Sequence, residues 1–276
     1  MLNANYLNPK FPRKFPFFAI FSIAVCVYST GATAQSVCKS PLYLTFDTGH
    51  MEVAPLIADV LRRQQVKATF FVANERTKTG DGSLGNDWAF WWKAVAAQGH
   101  EFASNTYDRV VWHGDLKGVK PTFRMQPAAG AFAGREFTWD AAKYCEQINH
   151  AAERIQDFTG RKALPLFRAP GGKTSPRLLE VAKSCGYAHV GWANAGFLGD
   201  DLPSEKFSNE VLLKKALRDI RSGDILMAHL GIWSRKDPWA PANLEPLIVG
   251  LKERGFCFET LRNHPAYQPW IAARGG

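Results

Sequence analysis

The sequence predicts an α/β protein built on a parallel sheet, and three observations carry that expectation. Short apolar runs of strand type alternate with helix-type patterns from about residue 42 to residue 260. Three of the runs end in a polar side chain capable of chemistry: Leu44-Thr45-Phe46-Asp47, Leu166-Phe167-Arg168 and Leu226-Met227-Ala228-His229. In a parallel sheet all strands end on one side, so groups far apart in the chain would gather into one site. A (β/α) barrel and a doubly wound sheet both satisfy this pattern, and periodicity alone does not separate them.

Leu42 to Asp47 reads as the first strand, followed by a helix over Val53 to Arg63 with apolar residues at Val53, Leu56, Ile57, Val60 and Leu61. Val66 to Ala73, rich in β-branched and aromatic residues, is the second strand. Ala89 to Ala97 is helical, and His100 to Ala103 is a short strand. Trp139 to Phe158 carries helical spacing at Ile148, Ala152, Ile155 and Phe158, with Thr138 as the expected N-cap. Leu164 to Arg168 is a strand. Pro176 to Cys185 is a helix with Ser175 at the N-cap and Pro176 at N1. Ala188 to Trp192, Ile225 to His229 and Phe256 to Thr260 complete seven strands, with helices over Ser208 to Arg221 and Leu244 to Arg254 between them. Two stretches, Asn74 to Asp87 and Tyr107 to Phe137, read as long loops on the side of the strand ends, where walls shaping a substrate site belong. Tryptophans 88, 91, 92, 112, 233 and 239 lie in or beside loops, as sugar-stacking platforms would, although large aromatics also fill cores.

The chain opens with an address. Lys10, Arg13 and Lys14 precede an apolar run from Phe15 to about Tyr28, and Ala32-Thr33-Ala34 supplies a small-residue cleavage site before Gln35. That run is shorter than the ~20 residues that span a bilayer. The expectation is a signal peptide over 1–34 and a single domain over 35–276, exported to the periplasm or the extracellular space, with no stable membrane insertion after cleavage. The net charge of +9 is spread along the chain without the Lys/Arg blocks that mark nucleic-acid binding. Cys38, Cys145, Cys185 and Cys257 remain after the leader, an even number in a compartment that permits disulfides. Three pairings are open, joining of the chain ends through Cys38 and Cys257 among them, and buried free thiols are an equal alternative.

The polar strand ends belong to longer motifs: Thr45-Phe46-Asp47-Thr48, Gly99-His100-Glu101 leading into Asn105-Thr106-Tyr107-Asp108-Arg109, Arg168-Ala169-Pro170-Gly171-Gly172, and Leu226-Met227-Ala228-His229. Together they resemble the NodB-like polysaccharide deacetylases, carbohydrate esterase family 4, over roughly Leu42 to Thr260. The resemblance implies a distorted parallel (β/α) barrel of about seven strands. It implies Asp47 as general base, Arg168 as the residue orienting it and His229 as general acid, with Pro170, Trp192 and Met227 against the substrate. An acidic residue usually follows the aromatic position of Trp192; Ala195 stands in its place, and Asp200 or Asp201 lies further on.

The family's metal ligands do not carry over. A carboxylate and two imidazoles are expected where this chain has Thr48, Asn105 and Arg109. Arginine stays protonated and repels a cation, and zinc prefers His, Cys and carboxylate. No cofactor is therefore expected, unless Asp47, His50 and Asp108 rebuild a site for zinc or another divalent ion. Alternatively, the Arg109 guanidinium itself supplies the positive charge. The activity implied is removal of N- or O-acetyl groups from an envelope or extracellular glycan by Asp/His acid–base chemistry. The alternatives are an inactive glycan-binding relic and a metal-independent amide or ester hydrolase.

Overall fold

The computed structural model describes residues 38–275. The expected leader, with its cleavage site before Gln35, lies outside them. Among the described residues no helix is long and apolar enough to cross a membrane.

Seven strands form one parallel sheet: β1 (Pro41–Asp47), β2 (Thr69–Val72), β3 (Glu101–Ser104), β7 (Leu166–Phe167), β8 (Ala188–His189), β9 (Ile225–His229) and β10 (Cys257–Phe258). Their order is β10-β1-β2-β3-β7-β8, and β9 pairs with β1. The first residues of β1 lie beside β10 and the rest beside β9, in a register that pairs Asp47 with His229. Between β8 and β9 there is an isolated parallel bridge, Phe197 to Met227, instead of a ladder. The sheet thus curls into the distorted, incompletely laddered barrel that the motifs implied, and the doubly wound alternative is set aside.

Strand alternation sorts side chains into two layers. Leu42, Leu44 and Phe46 of β1 pack outward with Leu226 and Ala228 of β9. There they meet α1 (Ala54–Arg63), which buries Ala54, Ile57, Ala58, Val60 and Leu61 at helical spacing. Each large aliphatic among these is worth about 1.5–3 kcal/mol on burial. The alternate set faces inward: Tyr43, Phe71, Ala103, Leu166, Val190 and Ile225 make an interior cluster. Following the same phase to the strand ends places Asp47, Asn105, Arg168 and His229 above that apolar floor.

The remaining helices are α2 (Ala89–Ala97), α3 (Ala141–Thr159), α4 (Pro176–Ser184), α5 (Asn209–Asp219), α6 (Leu244–Glu253) and the short α7 (Gln268–Ala272). The caps of α4 and α5 are the serines that precede them: Ser175 accepts from Leu178 N at 3.1 Å and Ser208 from Val211 N at 3.3 Å. For α3 the expected cap is corrected. Thr138 lies in a strand, and Asp140 accepts from Lys143 N at 2.9 Å.

The stretch Tyr107 to Phe137 is not a plain loop. It folds into an antiparallel sheet of β4 (Val110–Asp115), β5 (Thr122–Pro127) and β6 (Phe137–Asp140). Phe123 and Met125 are fully buried from one face of β5, packing with Tyr144, Ile148, Phe167 and Leu178. Two disulfides select one of the three pairings: Cys38 with Cys257 ties the ends of the described chain, and Cys145 with Cys185 ties α3 to the end of α4. On α2, Trp92 is buried with its Nε1 donating to Ser83 O at 2.7 Å, while Trp91 is partly exposed.

Candidate active site

Asp47, at the end of β1, is buried to 4% exposure. Its Oδ1 accepts from Arg168 Nη1 at 2.6 Å, and its Oδ2 accepts from Asn105 Nδ2 at 3.1 Å. Arg168 meets the carboxylate through one nitrogen only. The other guanidinium nitrogens donate to Thr45 Oγ1 at 2.9 Å and to the carbonyls of Val190 and Gly191 at 3.3 Å. Arg168 is fully buried, with Phe71 4.0 Å beneath its charge and Trp192 at 5.5 Å. A buried cation is tolerable only when it is paired and hydrogen-bonded. Here each guanidinium nitrogen has a partner, so the side chain is rigid and fixes Asp47.

His229, the register partner of Asp47, is 6% exposed. Asp200 holds it twice. One carboxylate oxygen accepts from the His229 backbone N–H at 2.6 Å, and both lie 3.1–3.2 Å from Nδ1. Burial disfavours the charged ring, but the Asp200 charge, its hydrogen bond and the charge of Asp47 together outweigh burial and the repulsion of Arg109. The pKa is lifted to about 9. At neutral pH Nδ1–H therefore points at Asp200 and Nε2 carries a proton it can donate. Asp200 is the acidic residue that motif register failed to place. It is delivered by the segment 196–198, where Met227 N donates to Gly196 O and Leu198 N to Met227 O.

Thr48, Asn105 and Arg109, where the resemblance implied metal ligands, are wired into the protein. Thr48 Oγ1 accepts from Ala73 N at 3.1 Å and donates to Glu75 Oε1 at 2.9 Å. Arg109 Nε lies 3.4 Å from Glu75 Oε2. Burial pushes the Glu75 carboxyl up, against the pull of Arg109, the Thr48 hydrogen bond and His229. Asn105 turns its amide N–H toward Asp47, leaving Oδ1 buried without a partner. A dication does not fit these groups: a guanidinium stands at one position, a hydroxyl committed to a carboxylate at another, and an amide committed to Asp47 at the third. The alternative set does not assemble. Asp108 is held by Gln147, His50 Nδ1 accepts from Glu52 N, and among the described residues no three His, Cys, Asp or Glu side chains converge as a metal requires.

A cavity of about 340 Å3 opens onto His229, lined by Glu75, Arg109, Asp201 and Trp233 with Gly49, Gly231, Ile232 and Ser234. Trp233 is half exposed, and Arg76 stacks over it at 4.4 Å. Asp201 has its carboxyl pushed up by burial and by neighbouring Asp200, against the attraction of His229 and Arg109. Of the residues expected against the substrate, Met227 is buried and shares the inward face of β9 with His229. Pro170 is buried in the turn Pro170–Gly172, and Trp192 packs over Gly172, where a Cβ would approach its ring to 2.9 Å. Glu75 was not foreseen from sequence: it sits in a polar loop with no motif, and only its place just after the second strand marked it.

Comparison with known proteins fits this geometry. The chain is 26% identical over 233 residues to a chitooligosaccharide deacetylase of Azorhizobium caulinodans, covering 81% of this chain and 93% of that protein. It is 24% identical over 226 residues to a peptidoglycan-N-acetylmuramic acid deacetylase of Bacillus subtilis, covering 81% and 70%. Among solved structures it resembles a CE4 family pseudoenzyme from Bacillus anthracis, with a TM-score of 0.58 at 19% identity over 82% of this chain and 65% of that one. A mutant of that pseudoenzyme has restored enzymatic activity. At such identity the structural likeness speaks to fold alone. The polysaccharide deacetylase model matches residues 34–190, more than half of the sequence, and the chain belongs to the polysaccharide deacetylase family.

Proposed function

We propose that this protein is an exported hydrolase that removes acetyl groups from the amide or ester of an envelope or extracellular glycan without the family metal. The observation that carries the reading is the Asp47–His229 pairing across β1 and β9, with each side chain held by its own charged partner, Arg168 or Asp200. Asp47 takes a proton from a water whose oxygen attacks the acyl carbonyl carbon. The charge that develops on the carbonyl oxygen faces Arg109. His229 gives its Nε2 proton to the leaving nitrogen or oxygen as the C–N or C–O bond breaks, releasing acetate and the free amine or alcohol. The glycan class rests on the named relatives and on the half-exposed Trp233 at the cavity mouth.

The test is acetate release from acetylated chitooligosaccharide and from acetylated peptidoglycan fragments by chelator-treated protein. Turnover without metal supports the reading. A second reading, an inactive glycan-binding relic, draws on Thr48, Asn105 and Arg109, a set that does not suit a metal. Glycan binding with no acetate released would favour it.

A further inference from the structure

Arg109 carries an unspent donor set. Among the described residues its guanidinium makes no side-chain hydrogen bond, and Nε is buried without a partner. Its one charged contact is Glu75 at 3.4 Å, too long for a well-formed hydrogen bond. Arg168, by contrast, has a partner for each of its guanidinium nitrogens. The backbone also carries strain at this point: Thr106 and Arg109 both lie in the left-handed region, at φ 63° and 50°. That turn is held shut from several sides. Thr106 Oγ1 accepts from Val110 N at 2.7 Å, and Gln147 bonds both the backbone and the carboxylate of Asp108. A strained turn kept in place by so many contacts, delivering an arginine with free donors into a cavity, points to a ligand.

Glu75 is fixed as firmly. Its N–H donates to Ser83 Oγ and its carbonyl accepts from Ser83 N, both at 2.8 Å, while Thr48 anchors Oε1. Its carboxylate therefore bridges Thr48 and Arg109. We propose that Glu75 is a positioning residue for Arg109, and that the guanidinium it holds is the cavity's site for an uncharged carbonyl oxygen, that of an acylamino or acyloxy group. Glu75 does two opposing things. It aims the guanidinium, which favours a neutral carbonyl, and its own charge repels an anion from the same place. Asp201, which also lines the cavity, repels an anion too, whereas His229 attracts one. The inference rests on the proposed deacetylation for its ligand class, but it is tested without turnover.

Acetamide and acetate serve as probes: same methyl, one neutral carbonyl, one carboxylate. Their binding to the metal-stripped full-length protein is followed by ligand NMR line broadening near pH 7.5, with Trp233 fluorescence as a second signal. The Arg109→Met variant should weaken both probes at least tenfold. Glu75→Gln, nearly isosteric, should weaken acetamide several-fold yet strengthen acetate several-fold, and Glu75→Asp should recover part of the acetamide affinity. Opposite movement of the two probes is the signature, because a residue that merely supported the fold would move both together. The proposal is overturned if neither probe binds the unmodified protein, if Arg109→Met leaves binding unchanged, or if Glu75→Gln shifts both probes in one direction. Loss of turnover with this signature intact would count against the deacetylase reading alone.

Discussion

Asp200→Asn should be the most diagnostic single change, because it uncouples the charge of His229 from its position. Asn retains the size of Asp and an oxygen to accept from the His229 backbone N–H, whose bond to Asp200 measures 2.6 Å. It removes the negative charge and the ionic hydrogen bond to Nδ1, two of the three influences that raise the His229 pKa to about 9. Burial and Arg109 then oppose the Asp47 charge alone, and the ring should titrate at or below its ordinary 6.5. A displacement from 6.5 to about 9 corresponds to roughly 3 kcal/mol of preference for the protonated ring in the folded state.

The sign of the pH dependence follows from the folded pKa lying above the unfolded one. The stabilisation is fully present below pH 6.5 and is lost as pH rises through about 9. Asp200→Asn should therefore cost on the order of 3 kcal/mol in urea unfolding at pH 6 and only about 1 kcal/mol near pH 10, where the ring is neutral in both proteins. NMR titration of the His229 ring supplies the pKa values directly. If acid catalysis operates, the variant's rate should fall away well below pH 9, where the unmodified protein still holds its proton. A cost that does not vary with pH, or a His229 that titrates unchanged in the variant, would refute the reasoning.

The other expectations are more compact. Asp47→Asn and His229→Ala should each lower acetate release by about 10²–10⁴-fold, with the fold checked by circular dichroism. Gly49→Ala should destabilise by more than 2 kcal/mol or so in urea, since the added Cβ would fall on the Gly231 backbone carbonyl, which cannot swing aside. Loss of Cys145–Cys185 in the double serine variant should cost roughly 2–5 kcal/mol by the same assay, a bridge whose partners lie 40 residues apart. Reverting the ligand positions together, Thr48→Asp, Asn105→His and Arg109→His, should create stoichiometric zinc binding measurable by atomic absorption; the unmodified protein should show none. Zinc bound tightly by the unmodified protein would sink that expectation.

The parallel sheet and most of its helices were legible because their signals are local. Buried strands read as continuous apolar runs, and Ser175 sits one residue ahead of an amphipathic stretch that opens with Pro176. The antiparallel sheet was missed although Phe123 and Met125 alternate with Arg124 and Gln126. The signal is short and interrupted by Gly118 and Pro121, and the same interruption makes a lid-like loop look equally good. Asp47, Arg168 and His229 were readable because each terminates an apolar run. Asp200 and Glu75 were not, since each follows irregular backbone and acquires its role only through a partner distant in sequence: His229, 29 residues on, and Thr48, 27 residues back.

That contrast bears on how Arg109 is accommodated beside His229. Arg109 alone would leave an uncompensated charge against His229, which itself is protonated at neutral pH. Glu75 offsets Arg109, and a carboxylate at position 48 would repel both Glu75 and Asp47. Thr48 removes that repulsion and donates a hydrogen bond in its place. Asn105 donates to Asp47, so that the carboxylate is oriented from two sides. Each replacement makes sense only with the others present, as expected for groups close enough to couple strongly. Such coupling argues that Thr48, Glu75, Asn105 and Arg109 form one charge-balanced unit, and that a variant altering one of them reports on all four.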